Sequence, residues 1–426
     1  MGTIVIVSGI LIIAATSLQA AVGLYSMTAA ALSASRLDRA RLSLFKDQAT
    51  ILLKRVNADR AKRELTWNGK RKFRVARRIY EDPNKDICSF YLHPHDNMPV
   101  PPFRPGQFLT FELPIPGQPQ PVIRCYSLSD GPVEEAQYRV SIKKLGAPPK
   151  APEGTPPGLS SNYFHDNVQE GDIVEVFAPA GEFYLDQESE RPVVLIGGGV
   201  GLTPVVSMLN WLASSGSNRE IWFFYGTRNH NEHAMYDHIQ EIARENPNIH
   251  TVIAYSQPSD TCKEGVDYDH KGFVGVDLMK AKLRSNNYVF YICGPPPMMD
   301  MVTRDLGEWG VPEEDIHFEA FGPATVKKTS GTDEAKPEAG AQTFDIEFSR
   351  SKVKVQWAAN MGTLLELAEA NGVKARSGCR AGNCGTCLTA LKQGEVDYVS
   401  KPGKKPEAGS CLTCITQPKS DLVLDI

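Results

Sequence analysis

The first 35 residues contain no charged side chain, and residues 4–32 are apolar apart from scattered Ser, Thr, Gln and Gly. About 20 such residues are enough to cross a bilayer. No basic residue precedes the run, which excludes the n-region of a cleaved signal peptide. Positive charge begins only afterwards, at Arg36, Arg39, Arg41 and Lys46. The positive-inside rule then predicts a retained single span over 1–35, with the N-terminus outside and the rest of the chain cytoplasmic. The net charge is only −4, but between residues 36 and 78 fifteen Lys/Arg face four Asp/Glu. Residues 36–66 therefore read as a basic juxtamembrane helix with an apolar stripe at Leu37, Leu44, Ile51, Leu52 and Val56. It suits either anionic headgroups or a solvated connector. Histidine is scarce: nine residues are scattered with no metal-ligating spacing. The pattern holds no acid–base triad, and no nucleic-acid partner is expected. Nine cysteines in 426 residues are not a disulfide framework and suit a reducing compartment.

Five of those cysteines stand close together. Cys379, Cys384 and Cys387 form C-x4-C-x2-C in RSGCRAGNCGTC, and Cys411 and Cys414 follow in SCLTC. This is the plant-type [2Fe–2S] spacing, in which four thiolates hold two irons. The small residues before and between them, Gly378, Ala381, Gly382, Gly385 and Thr386, allow backbone N–H groups to approach the sulfides. Zinc is the competing reading, because Cys384/Cys387 and Cys411/Cys414 make two CxxC pairs. Under either metal, five thiols compete for four places.

Upstream, the length allows about three domains. From Trp67 short alternating runs, at 72–79, 88–92, 107–112, 139–143 and 173–177, are separated by Pro and Gly clusters, which predicts an antiparallel β-barrel over 67–187. Two segments of it carry chemistry. Arg124-Cys125-Tyr126-Ser127 offers a guanidinium fork for a diphosphate, an aromatic ring and a hydroxyl. Gly158-Leu159-Ser160-Ser161 offers free N–H groups at a helix start. Over 188–323 the pattern becomes α/β with a parallel sheet. A strand at 193–196 runs into Gly197-Gly198-Gly199-Val200-Gly201-Leu202-Thr203-Pro204 and a helix over 205–213. This is the strand, Gly-rich turn and helix of dinucleotide binding, though not a strict G-x-G-x-x-G. Strands at 221–225, 250–255 and 288–293 follow, the last ending in Cys293-Gly294-Pro295. Residues 324–342 read as a flexible linker. Residues 343–426 read as an α+β, β-grasp ferredoxin domain, with strands at 344–348 and 353–357 and a helix at 363–370. Its eleven basic and nine acidic residues leave it nearly neutral.

Residues 70–323 resemble the ferredoxin–NADP reductase superfamily. They are especially similar to the reductase half of flavohaemoglobins, on RxYSLSD (Arg124–Asp130), GVGLTP (Gly199–Pro204), HAM (His233–Met235), CGP (Cys293–Pro295) and FGP (Phe321–Pro323). The C-terminal segment is similar to plant-type ferredoxins, whose last ligand sits in an L-T-C segment. That implies Cys379, Cys384, Cys387 and Cys414 as iron ligands. The reductase resemblance implies FAD held by Arg124, Tyr126, Ser127 and Gly158–Ser161. It implies a nicotinamide nucleotide framed by Gly199, Gly201, Thr203, Pro204, Cys293, Gly294 and Pro295, with Arg228 at the adenosine ribose, and NADH rather than NADPH. Phe321 is implied beside the flavin and Glu319 beside Phe321, so Ser127, Cys293, Glu319 and Phe321 surround the reacting atoms. No globin fits ahead of residue 70, so nitric-oxide dioxygenation is not expected. The expected path is NADH to FAD to [2Fe–2S] to an acceptor at the cytoplasmic membrane face. That acceptor is an oxygenase, a desaturase or a similar protein. The alternative is the NADH-input subunit of a sodium-translocating NADH:quinone oxidoreductase, although there the ferredoxin domain precedes the flavin module.

Overall fold

The structure, a computed structural model, describes residues 16–27, 46, 67–118, 121–132, 137–147, 157–321, 343–358, 361–380, 382, 385–399, 402 and 406–426. Two units separate after Leu65. Of the first, residues 16–27 are helical (α1), with Leu18, Leu24 and Tyr25 exposed. Among the described residues no helix is long and apolar enough to cross a membrane. The span expected over 1–35, the juxtamembrane helix of 36–66 and the linker of 324–342 fall wholly or mostly outside them.

The second unit opens with six strands: β1 Lys70–Tyr80, β2 Ile87–Pro94, β3 Phe108–Leu113, β4 Val122–Ser127, β5 Tyr138–Lys143 and β6 Ile173–Ala180. They pair antiparallel in the order β4-β3-β6-β1-β2-β5. A bridge from Leu128 to Val140 joins the two outer strands, so the sheet closes into the expected barrel and removes its edges. Its interior is filled by Phe73, Phe90, Leu109 and Phe111, all fully buried, each stabilising by about 1.5–3 kcal/mol. Helix α2, Leu159–Asn167, plugs one end: the Phe164 ring packs edge-on 5.2 Å from both Phe90 and Phe111.

Next comes a parallel sheet in the order β10-β9-β8-β7-β11-β12. Its strands are β7 Val193–Gly198, β8 Ile221–Thr227, β9 Ile249–Tyr255, β10 His270–Lys271, β11 Val289–Cys293 and β12 Ile316–Glu319. Helices α3 Leu202–Ser214, α4 Tyr236–Glu245, α5 Val276–Lys282 and α6 Pro296–Glu308 connect them. All six residues of β7 are buried, as expected for a strand covered on both faces. From β7 the chain builds outward to one side and then, from β11, to the other. The loops after β7 and β11 therefore flank the point where strand order reverses, where open α/β sheets bind ligands.

The C-terminal part has β13 Thr343–Phe348, β14 Val353–Ala358, helix α7 Leu364–Ala370, β15 Leu388–Gln393, β16 Val396–Tyr398, β17 Ser410–Leu412, β18 Thr416–Pro418 and β19 Leu422–Leu424. Five of these strands form a mixed sheet, β14-β13-β19-β15-β17. Helix α7 starts with a capping box, in which the Thr363 hydroxyl accepts from Glu366 N–H and the Glu366 carboxylate accepts from Thr363 N–H. Leu364, Leu367 and Ala368 seal it onto Ile346, Phe348 and Trp357. The expected α+β domain is present.

Candidate functional site

Strand β4 ends at a cavity of about 440 Å³. One wall is Arg124, Cys125, Tyr126 and Ser127 with Leu145 and β5; a second is Gly158–Ser161 at the start of α2. Val200 and Thr203, at the start of α3, and Ala320 and Phe321 line a third side. Gly378, Cys379 and Arg380 of the cysteine loop complete it. The fold thus brings the expected flavin residues together and sets the cysteine loop against them.

Each wall is locally fixed. The Tyr126 ring meets Phe111 and Phe164 edge-on at 5.7 and 5.3 Å, and burial holds its phenol protonated. Ser127 is almost wholly buried. At α2, Gly158 has no room for a side chain: a Cβ would sit 2.8 Å from the Leu145 Cβ and the Ser161 Oγ. Asn162 Nδ2 donates to the carbonyls of Leu145 and Gly158, both at 2.7 Å, and Ser161 Oγ accepts from Leu145 N–H at 3.3 Å. The helix N-terminus has no side-chain cap, so its first N–H groups lack intrahelical partners. The Ser160 hydroxyl is buried and has no hydrogen-bond partner. Burial, and then the charge of Arg380, pull the Arg124 pKa down. Two guanidinium groups on one cavity, free helix N–H groups and an orphaned hydroxyl fit the diphosphate of a dinucleotide flavin.

The expected nucleotide residues, Arg228 apart, lie on the loops after β7 and β11 and the helix starts that follow them. Gly199 has φ +53°. A Cβ on Gly201 would stand 2.2 Å from the Cys293 carbonyl oxygen, so the loops after β7 and β11 touch backbone to backbone. Gly198 and Gly294 are each pressed against the Met298 sulfur. Thr203 Oγ1 donates to Val200 O at 3.1 Å, and Pro204 is buried in the first turn of α3. Pro295 is the N-cap of α6. Arg228 is exposed and pairs with Glu232 at 3.2 Å. The Cys293 side chain is fully buried, and its thiol is pushed up by burial and by Glu319, its register partner on β12. Cys293 therefore contributes backbone and shape here rather than a thiolate. Glu319 is itself buried, whereas Phe321 is 39% exposed at the cavity mouth, which lets its ring move.

In the cysteine loop the Cys387 and Cys414 sulfurs lie 3.0 Å apart. Cys414 is pushed up by that contact, by burial and by the charges of Cys387 and Cys379, so two of the four expected ligands touch, while among the described residues no three His, Cys, Asp or Glu side chains form a group that could hold a metal ion. Cys384 falls outside the described residues. The Cys387 carbonyl accepts from the hydroxyls of Thr389 and Thr413, both at 3.2 Å, and from Thr413 N–H at 3.3 Å, which pins the loop. Gly382 has φ +77°, and a Cβ there would strike Ile415 at 2.4 Å. Arg380 also has positive φ and pairs with Glu369. Cys411 sits elsewhere, on β17 opposite Thr389, packed in the apolar core with its thiol pushed up to about 11 by burial. An all-sulfur donor set on a tightly turned loop fits an iron–sulfur cluster.

Sequence reasoning did not place the β5 wall, Val200, Ala320, Gly378 or Arg380 at the flavin cavity. Val200, Gly378 and Arg380 lie inside motifs already singled out, but all of them meet the flavin residues only through the fold.

Residues 195–304 match the family of oxidoreductase NAD-binding domains, and residues 346–419 match the 2Fe-2S iron-sulfur cluster binding domain. The flavohaem-like FAD/NAD-binding domain of a nitric oxide dioxygenase from Vibrio cholerae O1 biovar El Tor is 32% identical. It superposes with a TM-score of 0.52 over 59% of this chain and 99% of its own. The chain belongs to this FAD/NAD-binding reductase family. A flavohemoprotein from Halalkalibacterium halodurans is 38% identical over 258 residues, 61% of each chain. The chain spans about three fifths of the length of the curated relatives it matches. Phthalate dioxygenase reductase, described as a modular structure for electron transfer from pyridine nucleotides to [2Fe–2S], is 28% identical. It has a TM-score of 0.52 and is covered over 98% of its length by 84% of this chain. Residues 195–304 are thus an oxidoreductase NAD-binding domain beside an FAD-binding barrel, and the C-terminal domain takes a [2Fe–2S] cluster rather than zinc.

Proposed function

We propose that this chain is a membrane-anchored, NADH-dependent reductase that passes electrons through FAD and a [2Fe–2S] cluster to a protein acceptor, an oxygenase, desaturase or similar partner. One observation carries the reading: Cys379 lines the same cavity as Tyr126, Ser127 and Phe321. FAD, when bound, couples a two-electron hydride donor to a one-electron carrier. The chain's own residues position that chemistry. Arg124 and the α2 N-terminus would hold the flavin's diphosphate, Tyr126 and Ser127 would bind its ring system, and the loops after β7 and β11 would hold the nicotinamide nucleotide. Phe321, half-exposed at the cavity mouth, would cover the ring until the nucleotide enters. Cys379, Cys384, Cys387 and Cys414 hold the cluster. No buried acid or base is required at the reacting atoms, because hydride transfer needs alignment rather than proton removal.

The module order supports an oxygenase-type acceptor: phthalate dioxygenase reductase aligns along nearly its whole length. The uncharged first 35 residues followed by a basic segment support anchoring with the catalytic modules on the cytoplasmic side. The test is anaerobic titration of purified protein. NADH is expected to bleach the flavin and then the cluster. Bleaching by NADPH alone would overturn the nucleotide assignment, and a cluster that stays oxidised beside a reduced flavin would overturn the path. Pulldown from detergent-solubilised membranes, read as cluster reoxidation by the captured protein, identifies the acceptor.

A further inference from the structure

We propose that Asn210 is a positioning residue that holds the flavin-bearing strand and the nucleotide-bearing helix at the spacing hydride transfer requires. The inference rests on the NADH-to-FAD step proposed above. Asn210 lies on α3 about two turns beyond Thr203, on the helix whose start borders the flavin cavity. It is more than nine-tenths buried. Its Nδ2 donates to Asp130 Oδ1 at 3.1 Å and to the Ser129 carbonyl at 3.4 Å, while its Oδ1 accepts from His238 Nε2 at 2.7 Å. Both amide ends are thus committed, and His238 must carry its proton on Nε2. A second tie runs beside it: Ser207 Oγ donates to the Asp130 carbonyl at 2.6 Å.

Ser129 and Asp130 continue directly from Tyr126 and Ser127 of the flavin cavity, and they are held on the barrel side as well. Arg139 Nη2 donates to Ser129 O at 2.6 Å, and Ser129 N–H bonds to Arg139 O at 2.9 Å. The segment leaving the flavin wall is thereby clamped between the barrel and α3. Gly131 completes the fit: a Cβ there would meet Trp211 N at 3.1 Å. The register between Ser127 and Thr203 follows from this clamp. Displacing reacting groups by about 1 Å can cost about 10²-fold in rate, so a polar clamp only three residues from Ser127 acts on hydride transfer without touching either cofactor.

The test uses the full-length holoprotein in anaerobic stopped flow with NADH and with NADH deuterated at C4. In Asn210→Ala the flavin-reduction rate should fall at least about tenfold, with a larger deuterium isotope effect, while FAD content per folded protein changes little. Ser207→Ala, a milder lesion of the same anchor, should slow the step about threefold or more. Asn210→Asp, which sets a carboxylate against Asp130, should be worse than Asn210→Ala. A merely structural role would lower the melting temperature while leaving the rate per bound flavin and the isotope effect unchanged, and that result overturns the proposal. Should Asn210→Ala fail to fold, a Ser207→Ala rate within twofold of wild type overturns it equally. If the wild-type flavin is not reduced by NADH at all, it is the functional reading that fails.

Discussion

Gly201→Ala tests the nucleotide crevice most directly. The added Cβ would sit 2.2 Å from Cys293 O, 2.5 Å from Cys293 C and 2.6 Å from Gly294 N, all of them backbone atoms that cannot rotate away. Ordinary contact begins at 3.4 Å, so the loops after β7 and β11 must part by roughly 1 Å. In the proposed function those loops frame the nicotinamide, and a misplacement of ~1 Å at a reacting centre costs about 10²-fold, or about 3 kcal/mol of barrier. Overpacking also destabilises the fold by about 1–3 kcal/mol, so the assay must separate the two effects. Stopped-flow flavin reduction by NADH, normalised to bound FAD, should fall about 10²-fold in Gly201→Ala. Urea denaturation should show only the smaller folding loss. Gly199→Ala is the contrasting variant. Nothing in the protein lies within 4 Å of its Cβ but φ is +53°, so it should cost about 1–2 kcal/mol of stability without forcing the two loops apart, and slow flavin reduction less than Gly201→Ala does. A Gly201→Ala protein that reduces its flavin within threefold of wild type would refute the reasoning.

Ser160→Ala removes a buried hydroxyl that has no partner in the protein. Apo stability should therefore hold or rise while FAD affinity, read by fluorescence titration, drops about tenfold for one lost hydrogen bond; unchanged affinity would show that the hydroxyl does not face the flavin. Cys414→Ser should lose the bound iron and keep NADH–ferricyanide activity, whereas Cys411→Ser, in the apolar core, should keep its iron; the reverse pattern would exchange the two assignments. Deleting residues 1–35 should move the protein from the membrane pellet to the supernatant with NADH–ferricyanide activity intact, and continued sedimentation would sink the anchor. Thr363→Ala, which removes the capping box of α7, should lower the stability of the cluster domain by about 1 kcal/mol in denaturant melts monitored at the cluster.

The sequence carried the modules well because their patterns are periodic or glycine-marked. The barrel strands alternate, β7 is a continuous apolar run, and the five cysteines declare a metal site. Strand β4 escaped notice as a strand. Its VIRCYS sequence is only half-buried except at Ser127, so neither alternation nor a buried run marks it, and only its Arg, Tyr and Ser drew attention. Strand β12 was missed for a similar reason: three of its four residues are not buried, and it completes the sheet edge beside β11. The choice between Cys411 and Cys414 was open to spacing because either closes a CxxC pair. The strand period separates them, since β17 aims Cys411 at the core while Cys414 lies in the turn that follows. No local pattern joins Arg380 to Arg124, or Asn210 to Asp130; those contacts exist only once three modules have folded against one another.

That last class of contact bears on how electrons leave the flavin. If 324–342 is the flexible linker its composition predicts, it would raise the effective concentration of one module at another, into the millimolar range for short flexible linkers. The cluster loop therefore needs no strong charge complementarity to reach the flavin cavity, and its domain, with eleven basic and nine acidic residues, shows none. The same reasoning cuts the other way for the final acceptor, which the proposed function takes to be a separate protein. Where an acidic ferredoxin gains its encounter rate from long-range steering, this domain must rely on short-range fit, or on co-residence at a membrane surface that confines both proteins to two dimensions. In the proposed function, the uncharged N-terminal run and the basic segment after it would supply the chemistry for that confinement. A membrane anchor would then stand in for the acidic face that the ferredoxin domain lacks.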